Sequence, residues 1–335
     1  HVAVRRQRQM CIRDSVNSGE IISMVSLPDF DLNKREDISD KKFINRSTKG
    51  VYELGSVFKT FTLAAGLQQN VIQEDTLFTN LPKKIKCAGR SISEYDMDIP
   101  SSLTAEEILI RSGNIGSIKI AQKVGLENFK DFLENLDLLN KIQFDIEEVG
   151  NPIPFKWGKC KLATSAYGHG ITTTPLQLAK AYAIIANGGY KIKPTLIKKE
   201  KNLKRGEQII TQENSNKINE ILRKIVTSEQ GTANLANIAG YEIAGKTGTA
   251  QKSIKGKYSK KKINTFASIF PISSPKYVLI VLLDEPKLSE TYIYEYNDGK
   301  KRKIIGTPFN TAGWTSVEVT KKIIEKIGPI LAIKY

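Results

Sequence analysis

The segment AGYEIAGKTGTAQ, residues 239–251, fits two local structures that exclude each other. The pattern Gly-x-x-x-x-Gly-Lys-Thr, ending at Thr247, is that of a phosphate-binding loop, which needs a buried strand before it and a helix that begins at the lysine. The pattern Lys-Thr-Gly-Thr, ending at Thr249, is instead typical of a strand whose lysine binds a carboxylate. Lys246 must therefore either head a helix or lie within a strand.

The sequence on both sides of Lys246 favours the strand. Residues 231–239, GTANLANIA, lack the apolar run of a buried strand, and residues 251–262 have no apolar helical period. The segment YVLIVLLDE at residues 277–285 does resemble the strand and acid that hold magnesium in nucleotide-hydrolysing enzymes. No helix separates it from Lys246, so we reject the nucleotide-binding interpretation.

Apolar periodicity divides the chain into strand-rich ends and a helical middle. Helical spacing begins at Ser56. Further along, the pair Thr104 and Glu107 predicts a capping box at a helix start, and Thr174 followed by Pro175 predicts another helix start. Five further segments are predicted: a hairpin with its turn at residues 17–19 and its outgoing strand at 20–25, strands at 243–250, 265–270 and 277–283, and a final helix at 314–327.

This order predicts an α+β fold in which both chain ends build one antiparallel sheet, flanked by helices, with an inserted and mainly helical lobe. We place the sheet at residues 16–55 and 240–335 and the lobe at residues 56–239 of a single domain spanning residues 16–335. Residues 1–15, HVAVRRQRQMCIRDS, carry four arginines and no period, and we interpret them as a non-native segment outside the fold. The partner strand of the first hairpin would fall within that segment.

Cysteine, histidine and charge exclude several functions. Beyond residue 15 the chain has only Cys87, Cys160 and His169, too few ligands for structural zinc, and we expect no metal or cofactor. The two cysteines allow a disulfide or two buried thiols, of which we favour the thiols. The net charge of +16 comes from lysines in short loop-like runs without a recognition helix, so we expect solvated faces and no nucleic acid. No apolar run is long enough to cross a bilayer.

A candidate nucleophile follows from the Ser-x-x-Lys pattern, which occurs at Ser39, Ser56, Ser259 and Ser273. Only Ser56 follows a glycine and opens an apolar helix, where Lys59 would lie on the same face within reach of its hydroxyl. A lysine can accept a serine proton only when burial or a second cation lowers its pKa.

Two further patterns complete a candidate site. Ser112-Gly113-Asn114 falls in a break between two helices, which leaves its side chains free to enter a cleft. On the predicted strand, alternation sends Lys246 and Gly248 to one face and both threonines to the other. We expect the missing side chain of Gly248 to let a substrate backbone approach as an added strand.

These motifs, together with NSGEIISMVSLPDFDLN, YELGSVFKTFTLAAGL, YGHGITTTPLQLAKAYAIIANGG and TAGWTSVEVTKKIIEKIGPIL, resemble the transpeptidase domain of class B penicillin-binding proteins. The resemblance covers nearly all of the chain beyond residue 16, and its last segments are most similar to the septal, cell-division (FtsI-like) branch. It implies a β-lactamase/transpeptidase-like fold and a serine D-Ala-D-Ala transpeptidase that cross-links peptidoglycan stem peptides and is blocked by β-lactams.

The resemblance also implies a role for each site residue. Ser56 would form the acyl-enzyme with Lys59 as its base, Ser112 would relay a proton, and Asn114 would bind the substrate amide. The terminal carboxylate would be held by Lys246 with Thr247 and Thr249, next to Gly248 as a further substrate-binding residue. The backbone amides of Ser56 and Thr249 would form the oxyanion hole. Expected partners are a membrane-embedded glycan polymerase and other division proteins, at the periplasmic face of the inner membrane.

Two alternatives stay open within this fold. A serine β-lactamase needs a base for its deacylating water, and Glu147-x-x-x-Asn151 imitates such a motif, although the surrounding GNPIPF fits the penicillin-binding family better. A β-lactam sensor or scaffold would be acylated without turnover. We interpret His169, between two glycines, as a structural residue and Trp157 and Trp314 as core or cleft-wall residues. The membrane helix and non-catalytic pedestal usual in the family do not occur in this sequence, and Ser268 stands where relatives tend to have glycine.

Overall fold

The computed structural model describes residues 8–31, 33, 34, 40–199, 205–254, 257–297 and 301–334. Eleven strands occur within these ranges: β1 (Arg8–Ser15), β2 (Ile21–Ser26), β3 (Leu77–Phe78), β4 (Lys84–Cys87), β5 (Arg90–Ser93), β6 (Leu103–Thr104), β7 (Ala244–Ile254), β8 (Lys257–Phe270), β9 (Tyr277–Asp284), β10 (Ile293–Asn297) and β11 (Lys301–Ile305). The eight α-helices in the same ranges are α1 (Lys59–Gln68), α2 (Ala105–Ile110), α3 (Asn114–Val124), α4 (Leu126–Asn135), α5 (Lys159–Ser165), α6 (Pro175–Ala186), α7 (Gln212–Thr227) and α8 (Ser316–Lys334).

The centre of the molecule is a five-stranded sheet with the strand order β2-β1-β9-β8-β7. All neighbouring strands in it run antiparallel, as predicted for a sheet built from both chain ends. Helices α1 to α7 and the two-stranded pairs β3–β6 and β4–β5 all lie in sequence between β2 and β7. The strand that carries Lys246, β7, is therefore an edge strand of the sheet, with one side open to the cleft described below.

Helices cover both faces of the sheet. Every residue of β9 is buried, and because successive side chains of a strand point to opposite faces, both faces of β9 must be covered. Helix α6, whose twelve residues are all buried, contacts β9, β1 and β8, while α8 contacts β9 and β8.

Exclusion of residues 1–15 from the fold was wrong for the part that the structure describes. Strand β1 pairs with β2 through the predicted turn, and over its whole length with β9, from Arg8 opposite Asp284 to Ser15 opposite Tyr277. Strand pairing uses backbone groups that nearly every residue type provides, so an irregular side-chain pattern does not prevent it. The non-native origin of the segment stays a prediction.

The two cysteines form a disulfide rather than the two thiols that we favoured. Cys87 ends β4, Cys160 lies in the first turn of α5, and their Cα atoms are 5.6 Å apart. The spacing of 73 residues carried no sign of this, because only the folded chain brings the β4–β5 hairpin against α5. The bridge ties together two segments that each lead to residues lining the cleft, Glu94 after β5 and Tyr167 after α5.

Local helix signals were read correctly. Thr104 and Glu107 form the predicted capping box of α2, and Thr174 caps α6 with Pro175 in its first turn. The final helix begins at Ser316, after a short 3₁₀ turn at Ala312–Trp314. Among the described residues, none of the helices is both long and apolar enough to span a bilayer.

Candidate active site

Ser56 lies in a tight turn that presses against β7. The turn is a 3₁₀ helix, Gly55–Phe58, and it passes directly into α1, so that Ser56 and Lys59 are three residues apart across the junction. Gly55 has φ of +62°, and a side chain there would meet the backbone carbonyl of Thr249 at 3.0 Å. Val57 and Phe58 are fully buried, whereas Ser56 is partly exposed and lines a cleft of about 690 Å³.

Lys59 is the buried base candidate beneath this turn. Its side chain is 2% exposed, its ammonium donates to the backbone carbonyl of Ser112, and it lies 3.2 Å from the Ser112 hydroxyl. Burial lowers the pKa of Lys59 to about 7, against a smaller raising effect of the Glu94 carboxylate. Within the described chain its hydrogen bonds go to Ser112 and not, as the helical spacing suggested, to the Ser56 hydroxyl.

Ser112 connects the two lysines of the site. It lies in the break between α2 and α3 with φ of +59°, a left-handed conformation that turns its side chain into the cleft. Its hydroxyl lies 2.9 Å from the Lys246 ammonium and 3.2 Å from the Lys59 ammonium. The structure therefore brings together three residues that are far apart in the sequence.

Lys246 lies within β7, and no helix begins at it, so the phosphate-loop pattern is coincidental. Its side chain is fully buried and also donates to the Thr247 carbonyl at 3.1 Å. Burial, reinforced by the nearby charge of Lys59, holds the pKa of Lys246 well below its usual range. The charge of Lys59 thus favours loss of a proton by Lys246.

The two threonines of β7 share one face of the strand, as alternation predicted, and this face borders the cleft. Thr247 and Thr249 line it; the Thr247 hydroxyl lies 2.6 Å from that of Thr232, and the Thr249 hydroxyl accepts the Ala312 amide at 3.0 Å. Gly248 faces the other way, where a side chain would meet the Leu54 carbonyl at 2.2 Å. This corrects the expected reason for that glycine: it makes room for the turn before Ser56 and not for a substrate.

Glu94 is the site residue that sequence reasoning missed. It is 8% exposed, lines the cleft, and accepts the backbone amides of Asn114 at 2.6 Å and Ile115 at 2.7 Å. These are two of the amides that a helix start leaves without intrahelical partners. The sequence did offer a signal, since α3 begins after Gly113 with no local capping side chain, and a cap had to come from elsewhere.

Asn114 is the first residue of α3 and also lines the cleft. Its side-chain amide donates to the Ser93 carbonyl at 2.8 Å, which fixes the orientation of the group. Trp314 lines the cleft, which is one of the two locations predicted for the tryptophans. Glu147 is exposed and is not among the residues that line the cleft, so it lies away from where a deacylating water would need a base.

No group of three or more His, Cys, Asp or Glu side chains within the described ranges is arranged to hold a metal ion. The groups at hand are instead a hydroxyl at the cleft surface, a buried amine of lowered pKa beside it, and a second buried amine joined to the first by a serine. Such a set is suited to acyl transfer through a serine ester.

Solved structures share this fold. The transpeptidase domain of Burkholderia pseudomallei penicillin-binding protein 3 superposes with a TM-score of 0.80 at 24% identity, covering 96% of this chain and 88% of that one. Penicillin-binding protein 3 of Mycobacterium tuberculosis, solved in complex with aztreonam, gives a TM-score of 0.78 at 23% identity, covering 96% of this chain and 73% of that one. The fold is that of the penicillin-binding transpeptidases.

Sequence comparison identifies the family. Residues 15–310 match the model of the penicillin binding protein transpeptidase domain, and the chain belongs to this family. It is 31% identical over 331 residues to the probable peptidoglycan D,D-transpeptidase FtsI of Caulobacter vibrioides, covering 96% of this chain and 53% of the relative. It is 30% identical over 282 residues to peptidoglycan D,D-transpeptidase FtsI of Escherichia coli K12, covering 83% and 47%. The chain thus spans about half the length of these curated relatives.

Proposed function

We propose that this chain is the catalytic part of a peptidoglycan D,D-transpeptidase that works through an acyl-enzyme on Ser56. The observation that supports this most strongly is the meeting of Lys59, Ser112 and Lys246 beside a partly exposed serine at the edge of the sheet. The names of the relatives and their similarity over most of this chain point to the same reaction.

The donor is a stem peptide that ends in D-alanyl-D-alanine and lies along the open edge of β7 as an added strand. Its terminal carboxylate binds near the Lys246 ammonium and the hydroxyls of Thr247 and Thr249. The arriving negative charge favours the protonated form of Lys246, because it offsets both burial and repulsion from Lys59. Asn114 binds the amide of the donor.

Acylation begins when neutral Lys59 takes the proton of the Ser56 hydroxyl and the oxygen attacks the carbonyl carbon of the penultimate D-alanine. The backbone amides of Ser56 and Thr249 stabilise the oxyanion that forms. The proton then passes through Ser112 to the nitrogen of the last D-alanine, the peptide bond breaks, and D-alanine leaves while an ester remains on Ser56. The hydroxyl of Ser112 suits this relay because it contacts both ammonium groups.

The second half of the reaction reverses these roles. An amine from a neighbouring stem peptide attacks the ester, loses its proton, forms the cross-linking amide and restores the Ser56 hydroxyl. A β-lactam acylates the same oxygen by opening its ring, so no leaving group departs and the serine stays blocked. Similarity to the septal, cell-division branch supports a role in septal wall synthesis at the periplasmic face of the inner membrane, with a membrane-embedded glycan polymerase and other division proteins as partners.

The test is a transfer assay on the purified chain. With a synthetic donor ending in D-alanyl-D-alanine and an added acceptor amine, we expect D-alanine release together with a donor–acceptor product. Lys59→Met should abolish both, whereas Lys156→Met, which removes an exposed lysine, should not. Rapid hydrolysis of penicillin would indicate a β-lactamase instead, and stable acylation by penicillin without any D-alanine release would indicate a sensor.

A further inference from the structure

Thr232 lies in the loop between α7 and the short 3₁₀ turn Asn234–Ala236 and lines the cleft, but it takes no part in the acylation steps. Its hydroxyl oxygen lies 2.6 Å from that of Thr247, close enough for a hydrogen bond in either direction. Thr247 is one of the two threonines that bind the terminal carboxylate of the donor peptide in the proposed reaction. The direction of this hydrogen bond therefore decides what Thr247 offers to the carboxylate.

The hydrogen-bonding capacity of a hydroxyl group limits this choice. A hydroxyl has one hydrogen to donate and two lone pairs that accept, whereas an ionised carboxylate can only accept. A threonine that binds the carboxylate must therefore use its single hydrogen for that bond, and every other partner of its hydroxyl must be a hydrogen-bond donor. Thr249 meets this condition, because its hydroxyl accepts the backbone amide of Ala312 at 3.0 Å, a group that can only donate.

Thr247 meets the same condition only if Thr232 is the donor. The Lys246 ammonium, 3.5 Å from the Thr247 hydroxyl, can also only donate, which leaves one lone pair for Thr232. If Thr247 donated to Thr232 instead, its hydrogen would be used and its oxygen would face the carboxylate with a lone pair. Within the described ranges, the hydroxyl of Thr232 has no hydrogen bond other than that to Thr247, so its own hydrogen is available.

Thr232 and Ala312, which supply these two hydrogen bonds, lie on adjacent backbone segments. The amides on either side of Thr232 donate to carbonyls at the C-terminal end of α7, at 2.9 Å and 3.2 Å. A side chain at Gly313 would meet the Thr232 carbonyl at 2.7 Å, so the 3₁₀ turn Ala312–Trp314 lies directly against this loop. Backbone contacts thus fix both hydrogen-bond donors relative to β7.

We propose that Thr232 is a positioning residue for the donor peptide: its hydroxyl donates to Thr247 and so directs the Thr247 hydrogen at the terminal carboxylate. This inference rests on the proposed transpeptidase function. Together with the Ala312 amide at Thr249, this arrangement presents two hydroxyl hydrogens to one carboxylate. Thr232 does not touch the peptide, so its effect requires both the Thr247 hydroxyl and the negative charge of the substrate.

Two thioesters of the same D-alanine-terminated acyl group test the proposal. The leaving group is thioglycolate, which carries a carboxylate where the last D-alanine has one, or ethanethiol, which carries none. We expect Thr232→Val to lower kcat/KM for thiol release about tenfold with the thioglycolate ester and to leave the ethanethiol ester nearly unchanged. Thr232→Ser retains the hydroxyl and should keep the wild-type preference. Thr227→Val is the matched control, because Thr227 is exposed and is not among the residues that line the cleft.

A double variant separates positioning from a general structural role. Thr247→Val removes the hydroxyl through which Thr232 acts, so adding Thr232→Val to that variant should cause no further loss with the thioglycolate ester. Two independent effects would instead add. Thermal unfolding midpoints close to that of the wild type show that the variants are folded.

A full preference for the thioglycolate ester in Thr232→Val, or an equal loss with both esters, would overturn the proposal. So would additive losses in the double variant, or a loss in Thr232→Ser as large as that in Thr232→Val. Should Thr232→Val fail to fold, Thr232→Ala takes its place and the same outcomes decide. If the thioesters behave as expected but the wild type releases no D-alanine from a peptide ending in D-alanyl-D-alanine, the role of Thr232 is supported and the transpeptidase function is contradicted.

Discussion

At the scale of single residues, the site depends on a lysine that is neutral near physiological pH. The pKa of Lys59 is lowered to about 7, and only its neutral form can accept the Ser56 proton. We therefore expect the rate constant of penicillin acylation to rise about tenfold per pH unit below pH 7 and to level off above it. A rise that occurs only near the ordinary lysine pKa of 10.5 would contradict this role.

Glu94 provides the control for this pH profile. Its charge raises the pKa of Lys59, so Glu94→Gln should move the midpoint of the acylation profile to lower pH. The glutamine oxygen can still accept an amide at the start of α3, which limits the structural effect. An unchanged midpoint in a normally folded variant would show that the charge of Glu94 does not affect the pKa of Lys59.

Gly248 is predicted to be essential for packing. A side chain at this position would lie 2.2 Å from the Leu54 carbonyl, and backbone cannot move away as a flexible side chain can. We expect Gly248→Ala to lower the free energy of unfolding by about 1–3 kcal/mol and to slow acylation, because the turn that carries Ser56 must shift. Gly158→Ala is the matched control, since nothing lies within 4 Å of its added carbon. Equal stability of the two variants, measured by urea unfolding, would refute the argument.

Motifs and their local sequence context were sufficient to predict which residues meet in the cleft, for most of them. Ser56 and Lys59 were found by their place at a helix start, and Lys246 by its strand surroundings. Glu94 was not found, because a carboxylate that caps a helix twenty residues further along leaves no local pattern. The hydrogen bonds of Lys59 were also missed, since the left-handed turn at Ser112 determines them.

At the scale of elements, the disulfide is the connection with the clearest energetic consequence. It joins the β4–β5 hairpin to α5 across 73 residues, and cross-links of long loops restrict the unfolded chain most. Replacing both Cys87 and Cys160 by alanine should lower the free energy of unfolding by about 2–4 kcal/mol. In reductant, the wild-type protein should have the same free energy of unfolding as the variant. Equal unfolding midpoints for the oxidised wild type and the variant would show that the bridge adds no stability.

Elements with local signals were predictable, and those that depend on distant partners were not. The capping box at Thr104 and the Thr174–Pro175 start were visible because their partners lie within one helical turn. The Cys87–Cys160 bridge and the pairing of β1 with β9 were missed for the opposite reason. Both depend on contacts with segments far along the chain, which no short pattern can encode.

At the scale of the whole molecule, β1 completes the sheet that supports the cleft. It lies between β2 and β9, so its backbone amides are needed on both sides. Ile12→Pro removes one donor and adds a bulky ring, and it should lower the free energy of unfolding by more than about 2 kcal/mol relative to Ile12→Ala. This comparison isolates the backbone effect from that of the side chain. Equal thermal unfolding midpoints would mean that β1 is dispensable.

The general architecture followed from the order of strand-rich and helical segments, because a strand-rich segment at each end favours one shared sheet. What the order could not give is the edge position of β7, which results from how β1 and β9 pair in the interior. The proposed function requires this edge position, since it leaves one side of β7 available to a peptide beside Ser56.

The most direct test of the central claim is the intact mass of the chain after treatment with benzylpenicillin. We predict one covalent adduct on the wild type, located on the peptide that contains Ser56, and none on Ser56→Ala. An alanine variant that still gains one adduct would contradict the assignment of Ser56 as the nucleophile.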